Sequence, residues 1–538
     1  MQYVGITVGP IGETMQMTST PAGLWLASYL FSSLVRDICQ QLQEQGREIL
    51  TLPEGFRVKE HLEDHGVGSY HDRIYYVTEE PVAQVEQSLP QLYAQVLHRQ
   101  AREMAKTFQA AGAGVLDYGE ASIETFLHDY LQVHFVVFTE AETQAKGIAA
   151  TLADALDALE LSQHVCTEQK RSYMRKLVRG TQDDSNAYLR HYPAFARLAT
   201  DEAFPLNYVS GKEVRIRDLG AIAAGIGLPD RKAERDKTAN YIAIVQCDGD
   251  NMGLTLASTD ELGQPQAQQA RLHNFSRLCM AYTTQAAALV TAYGGVVIYA
   301  GGDDLLFLAP VQATRQNAPC ANVWELCRAI GQAFDKIFQA SDAAQKPTLS
   351  VGMAIQYHKF PLYESFLAAQ RCLFGEAKHF VHGAARRKNN LSVHLRKHSG
   401  QSVGFTCCLE TATGGEQYGV FAAYLAFLQA FYSQQDTSLA EENQLMHSVI
   451  YHLEEQRVLF QQALDTGSRE VIAHAFANSF DNSGQTFGAA MLAQLEELAY
   501  TVQRVYQGGA LRGVTGAEPA VALLTSMLRM AKFLAEED

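Results

Sequence analysis

The chain has 538 residues, 47% hydrophobic and 19% charged, which excludes wholesale disorder and leaves length for three or four folded domains. Its 43 basic and 59 acidic residues leave a net charge of −16, which excludes a protein that coats nucleic acid over most of its surface, since that needs excess base. Nine scattered cysteines without a CxxC pair exclude a disulfide framework, and no apolar run reaches the roughly 18–20 residues of a membrane span. With no basic and apolar leader behind Met1, the expectation is a cytoplasmic protein that makes no membrane contact.

Tyr3–Val8 is a short β-favouring run closed by Gly9-Pro10. Pro21-Ala22-Gly23 opens an apolar-periodic helix over Leu24–Leu42 that carries Trp25, Leu26, Tyr29, Leu30, Leu34 and Val35. Ile74–Val77 reads as a strand, about Pro81 to Ala111 as a helix, and Val133–Phe138 as a further strand. This alternation predicts an α/β sandwich unit over residues 1–140. Residues 141–237 read as a mostly helical linker domain. Its basic clusters, Lys170–Arg179 and Arg231–Lys237, are more simply solvated faces than phosphate contacts.

A second α/β unit occupies 238–405. The buried-type strand Tyr241–Gln246 runs into Cys247-Asp248-Gly249-Asp250-Asn251-Met252-Gly253, and a helix follows from about Gln266 to Tyr293. Strands Val296–Ala300 and Leu305–Ala309 flank Gly301-Gly302-Asp303-Asp304. Then come a helix at Trp324–Ala340, a strand at Thr348–Ile355, a helix at Tyr363–His379 and a closing strand at Leu391–Leu395. From 406 to 538 the pattern is a helical bundle: Val420–Tyr432, Glu441–Ala463, Ala489–Tyr506 and Pro519–Glu536. The two α/β units resemble each other. Gly9-Pro10 falls where Cys247-Asp248 stands, and His71-Asp72-Arg73 roughly where Asp303-Asp304-Leu305 stands, so the first copy lacks the paired acids.

Gly and Asp are common in turns, so the GGDD tetrapeptide alone reads as a hairpin tip. What adds chemistry is a third acid, Asp248, leaving the end of a neighbouring strand. Unit charges 4 Å apart repel by about 4 kcal/mol at an effective dielectric near 20. A divalent cation turns that repulsion into binding, and carboxylate oxygens suit Mg²⁺ or Mn²⁺. Asp248, Asp303 and Asp304 are therefore the candidate catalytic and metal-binding residues, holding two ions in the manner of phosphoryl transfer. Gly249, Asp250, Asn251, Gly301 and Gly302 are candidate nucleotide-binding positions, with Lys378 and Lys388 as candidate phosphate partners. His71-Asp72 and His128-Asp129 lack further ligands at suitable spacing and read as solvent-facing pairs.

These motifs resemble the large, polymerase-like subunit of type III (Csm/Cmr) CRISPR effector complexes, nearest the Cmr form. The resemblance rests on Asp248–Gly253, on Gly301–Asp304, on Leu349–Ile355 followed by Phe360-Pro361-Leu362-Tyr363, and on Tyr3–Pro10 with Leu24–Leu30. It implies an α+β fold: two ferredoxin-like palm domains, the first inactive, with a helical linker and a C-terminal helical domain. It also implies that ATP is converted to cyclic oligoadenylates when guide RNA captures target RNA among other Cmr/Csm-type subunits, and that the palms pair within the chain. Because a palm strand begins at Tyr3, the HD nuclease activity of many family members is expected to be absent. The linker holds the single cysteine Cys166, which does not supply the family's four-cysteine zinc site. Three other readings stay open: a stand-alone minimal cyclase, a diguanylate cyclase (although Leu305 stands where Phe is expected), and a catalytically idle scaffold.

Overall fold

The computed structural model describes residues 1–61, 67–110, 120–161, 167–179, 206–210, 212–228, 230–231, 237–256, 261–341, 346–382, 386–409, 419–433, 439–481, 489–507 and 519–535. The first unit is built from β1 (Gln2–Gly9), α1 (Ile11–Gln16), α2 (Pro21–Glu44), β2 (Glu48–Ile49), β3 (Arg73–Thr78), α3 (Val82–Ala110), α4 (Glu120–Tyr130) and β4 (Gln132–Thr139). Its antiparallel sheet has the order β2-β3-β1-β4, that of a ferredoxin-like palm. Helix α5 (Ile148–Glu160) lies on the same sheet. Leu152 and Leu156 pack over Gly5, where the missing side chain leaves room for them. The packing unit therefore continues past residue 140, the border that the strand–helix alternation suggested.

Among its described residues the linker also carries strands. After α6 (Glu168–Arg179), these residues form the hairpin β5 (Asn207–Ser210) and β6 (Glu213–Ile216) and the short α7 (Leu219–Ala223). Lys170 pairs with Asp129 at 3.1 Å and Arg171 with Glu13 at 2.9 Å, which places these two cations of the first basic cluster at the surface of the first palm. Most of the second basic cluster, and Cys166, lie outside the described residues.

The second palm repeats the plan with β7 (Tyr241–Asp250), α8 (Met252–Leu256), α9 (Pro265–Tyr293), β8 (Val296–Gly301), β9 (Asp304–Pro310), α10 (Val323–Phe338) and β10 (Thr348–Tyr357). Helix α11 (Leu362–Gln370) runs into a π-helical turn, Arg371–Ala377. A small ribbon follows, β11 (Val381–His382) with β12 (Arg386–Arg387), and then β13 (Asn390–Arg396) and β14 (Ser402–Cys408). The six-stranded sheet has the order β14-β13-β10-β7-β9-β8. Its β8-β9-β7-β10 core matches the strand order of the first palm, and β13 adds parallel to β10. Strand β14 straddles the expected 405/406 border, so the sheet extends past it.

Alternation along β7 sends Ala243, Val245 and Cys247 to one face and Ile242 and Ile244 to the other. The first face packs on α9, on α10 and on the C-terminal helices. Helix α10 is capped by the Asn322 side chain, which accepts from Glu325 N at 3.0 Å, and it buries Trp324, Leu326, Cys327, Ile330, Phe334 and Phe338. Each such large apolar side chain contributes about 1.5–3 kcal/mol when fully buried.

The opposite face, with Ile298, Leu306 and Leu308, shares a core with the first palm. Helix α2 lies between them. Thr20 caps it, Pro21 starts it, and it is buried nearly all round, including Ser28, Ser32 and Ser33. Ala300 N donates to Gly68 O at 2.9 Å, which joins the palms through their backbones. Palm–palm pairing within the chain is thus a feature of the fold.

The C-terminal bundle comprises α12 (Val420–Ser433), α13 (Leu439–Glu455), α14 (Arg457–Asp465), α15 (Arg469–Asp481), α16 (Ala489–Gln507) and α17 (Pro519–Ala535). The helix expected over Glu441–Ala463 breaks at Gln456, and α15 was not foreseen. Among the described residues no helix is long and apolar enough to cross a membrane.

Candidate active site

Asp248 is the eighth residue of β7, and the ladder pairs Cys247 with Leu305. Continuing that antiparallel register by one residue sets Asp248 opposite Asp304. Strands β8 and β9 meet at Gly301 and Asp304, leaving Gly302-Asp303 as a two-residue turn in which Gly302 takes a φ of 65°. A hairpin that demands positive φ at its first central position selects glycine there. Asp303 stands at the tip, against β7. A Cβ on Gly249 would lie 2.6 Å from Asp303 Oδ2.

The three acids therefore converge from two neighbouring strands. Asp248 and Asp303 are half-buried, and Asp304 keeps contact with solvent at the mouth of the cleft. Lack of full hydration, then the charge of Asp248, pushes the Asp303 carboxyl up to about 6. Asp304 is raised as well. The cleft walls displace much of the water around it, and Asp303 and Asp248 repel its charge. The negative charge at this spot thus exceeds what the protein neutralises, and the donors are hard oxygens, so the set fits Mg²⁺ or Mn²⁺.

Lys378, directly after the π-helical turn, is the cation that meets the acids. Its Nζ lies 2.5 Å from Asp248 Oδ1, 3.2 Å from Gly249 O and 3.8 Å from Asp250 Oδ1. Asp250, expected to touch nucleotide, is instead fully buried. Its carboxylate accepts from Thr348 Oγ1 at 2.9 Å, Ser350 Oγ at 2.8 Å and Asn389 N at 2.8 Å. Its place is under the site, tying β7 to β10 and to the turn before β13. Lys388 and Asn389 form that turn with φ of 82° and 60°, and Lys388 is half-exposed above Asp250. Asn251, with φ of 60°, turns the chain from β7 into α8, and its carbonyl accepts from Leu254 N at 3.0 Å.

His71-Asp72, read from sequence as a solvent-facing pair, lies against the hairpin. A Cβ on Gly302 would lie 3.5 Å from His71 Cβ, and the fields of His71 and Asp72 reach Asp303 and Asp304 respectively. Arg73 N donates to His71 Nδ1 at 3.2 Å, which holds the ring beside its own backbone turn. No local signal marks His71, because only palm pairing brings it here. Across the first palm's own ladder, Thr7 pairs with Arg73 and Val8 N donates to Asp72 O. This register moves the counterpart of Cys247-Asp248 from Gly9-Pro10 back to Thr7-Val8, and no acid faces Asp72 from β1. His128, by contrast, is exposed on α4 as expected.

Asp303 and Asp304 line a cavity of about 1030 Å³ between the palms. Val67, Tyr70 and His71 line it from one side and Met252, Phe275 and Met280 from the other. A largely apolar cleft with a few convergent polar groups suits a nucleobase with its phosphates at the acidic end.

Paired ferredoxin-like palms, with a carboxylate trio on one of them, define a two-palm protein of α+β architecture. Residues 241–391 match the family model described as Cas10/Cmr2, second palm domain. The CRISPR system Cmr subunit Cmr2 of Pyrococcus furiosus is 28% identical over 179 residues, which span 30% of this chain and 19% of that relative. The apo state of the type III-B Cmr-beta complex, solved by cryo-EM, contains a chain of the same fold. Its TM-score is 0.57 at 10% identity, covering 94% of this chain and 82% of that one. The Cmr-beta structure bound to cognate target RNA gives a TM-score of 0.54 at 10% identity, covering 94% and 83%. Residues 241–391 are thus similar to the second palm of Cas10/Cmr2, and the chain as a whole shares its fold with a chain of the type III-B Cmr-beta structures.

Proposed function

We propose that the chain is a nucleotidyltransferase that condenses ATP into cyclic oligoadenylates within a type III effector complex, once guide RNA has paired with target RNA. The observation that carries this reading is the register that sets Asp248 opposite Asp304 with Asp303 beside them, at the mouth of an inter-palm cleft. Asp248, Asp303 and Asp304 would hold the two divalent ions, which when bound supply Lewis-acid activation of a ribose hydroxyl and neutralise the leaving pyrophosphate. Lys378 offers a point charge that a polyphosphate can share with Asp248. The side-chain-free backbone at Gly249, Gly301 and Gly302 lets phosphates approach the strand ends closely. Similarity to a Cmr subunit, and to a chain seen in complexes with and without target RNA, supports partner Cmr/Csm-type subunits, guide RNA and target RNA as the setting.

The test is the double substitution Asp303→Asn, Asp304→Asn, assayed with ATP, Mg²⁺ or Mn²⁺ and target RNA in the assembled complex. Loss of product by more than about 100-fold is expected, since the metal-binding pair acts as a unit. Equal product from the double variant would overturn the reading, and absence of product from the unsubstituted complex would favour a scaffold. Product from the isolated chain without RNA would point to a stand-alone cyclase.

A further inference from the structure

The second palm carries another cluster of ligating side chains, outside the acid trio. Cys372 and Glu376 stand four apart on the π-helical turn, and His394 projects from β13. One sulfur, one carboxylate oxygen and one imidazole nitrogen from these residues all lie within 4.8 Å of one another. His394 Nε2 is already 3.3 Å from Glu376 Oε1.

The surroundings are built to hold this geometry. Gly404 pairs with His394 across β13 and β14, and a Cβ there would lie 2.5 Å from His394 Cδ2 and 2.7 Å from Nε2. The imidazole can therefore lean over β14 toward Glu376 only because residue 404 has no side chain. Glu376 Oε2 accepts from Ser392 Oγ at 2.5 Å, and Ser392 Oγ in turn accepts from Thr406 Oγ1 at 3.0 Å, so the carboxylate is oriented by an outer pair of hydroxyls. Cys372 is 1% exposed, whereas His394 and Glu376 face solvent in part.

We propose that Cys372, Glu376 and His394 form a site for one zinc-class divalent cation, with its fourth position open to solvent. A thiolate, an imidazole and a single carboxylate make a borderline-soft set that favours Zn²⁺ over Mg²⁺. Ordinary Zn–S and Zn–N bond lengths need neighbouring ligand atoms roughly 3.3–3.8 Å apart, which the His394–Glu376 pair already meets. Coordination releases the Cys372 proton and leaves the open position to water. The same turn ends at Lys378, so the cation would fasten to β13 the segment that carries Lys378 to Asp248.

The experiment uses the full chain stripped of metal and titrated with Co²⁺ as the probe. The thiolate-to-cobalt charge-transfer absorption is expected to saturate at one Co²⁺ per chain and to be displaced by Zn²⁺, any Co²⁺ at the acid trio being silent in that band. Cys372→Ser should abolish the band. Glu376→Gln and His394→Gln should weaken binding by at least the roughly 10–100-fold typical of losing an outer-shell partner. The Asp303→Asn, Asp304→Asn chain should keep the band, which separates this site from the acid trio. His394→Gln, at a half-exposed position, serves if Cys372→Ser fails to fold. Absence of the band in the unsubstituted chain, or its persistence at full strength in His394→Gln, would overturn the proposal in favour of a hydrogen-bonded structural cluster.

Discussion

Between Gly249 and Asp303 there is no room for a methyl group: a Cβ would lie 2.6 Å from the carboxylate oxygen and 2.8 Å from Met252 Sδ. Gly249→Ala should therefore leave the fold in place while pushing Asp303 off the line it shares with Asp248 and Asp304. A misplacement near 1 Å costs on the order of 100-fold in rate, so nucleotide condensation should fall by about that factor with an unchanged melting transition. Wild-type turnover from this variant would show that Asp303 does not need its present position. The three acids were legible in sequence because the turn chemistry of Gly302 and the end of an apolar strand are local signals. The burial of Asp250 and the approach of His71 were not, because each depends on an element distant in the chain.

At the scale of elements, Asp250 joins three of them. Its carboxylate takes a hydroxyl from Thr348, a hydroxyl from Ser350 and the amide of Asn389, with Lys378 nearby. Burial raises the Asp250 carboxyl against these favourable bonds, so its charge is held at some cost. Asp250→Ala would strand those donors. The expected loss is about 3 kcal/mol, read as a lower urea midpoint with an unchanged slope, since unsatisfied buried partners cost about 1–3 kcal/mol each with partial relaxation. A midpoint within experimental scatter of the parent would remove Asp250 from this role. Long helices such as α9 and α10 were readable from periodicity and caps, to within a few residues at each end. The β5–β6 hairpin was not, since its four-residue strands are too short to show an alternation. The π-helical turn was hidden inside an apolar stretch that reads as one continuous helix over Tyr363–His379.

Across the whole molecule, the two palms meet along one seam. A Cβ on Gly68 would lie 3.2 Å from Ser32 Cβ and 3.4 Å from the Tyr299 ring, beside the Gly68–Ala300 backbone bond. Gly68→Val should wedge this seam, lowering unfolding stability by about 1–3 kcal/mol as overpacking does, and reducing condensation although every acid is intact. Unchanged stability together with unchanged product would mean that the seam tolerates an opening. The repeat of two palms was legible as paired strand blocks. Their shared core was not, because a helix buried on all sides reads in sequence much like one that is buried on a single face.

Helix α2 belongs to both palms at once: it packs on β1 and β3 of the first and on β8 of the second, within one continuous apolar core. A polypeptide cut back to its acid-bearing half would uncover Ile298, Leu306 and Leu308 to water. The half without acids is in this sense the missing wall of the other half's interior, which gives it a reason to persist that needs no chemistry of its own.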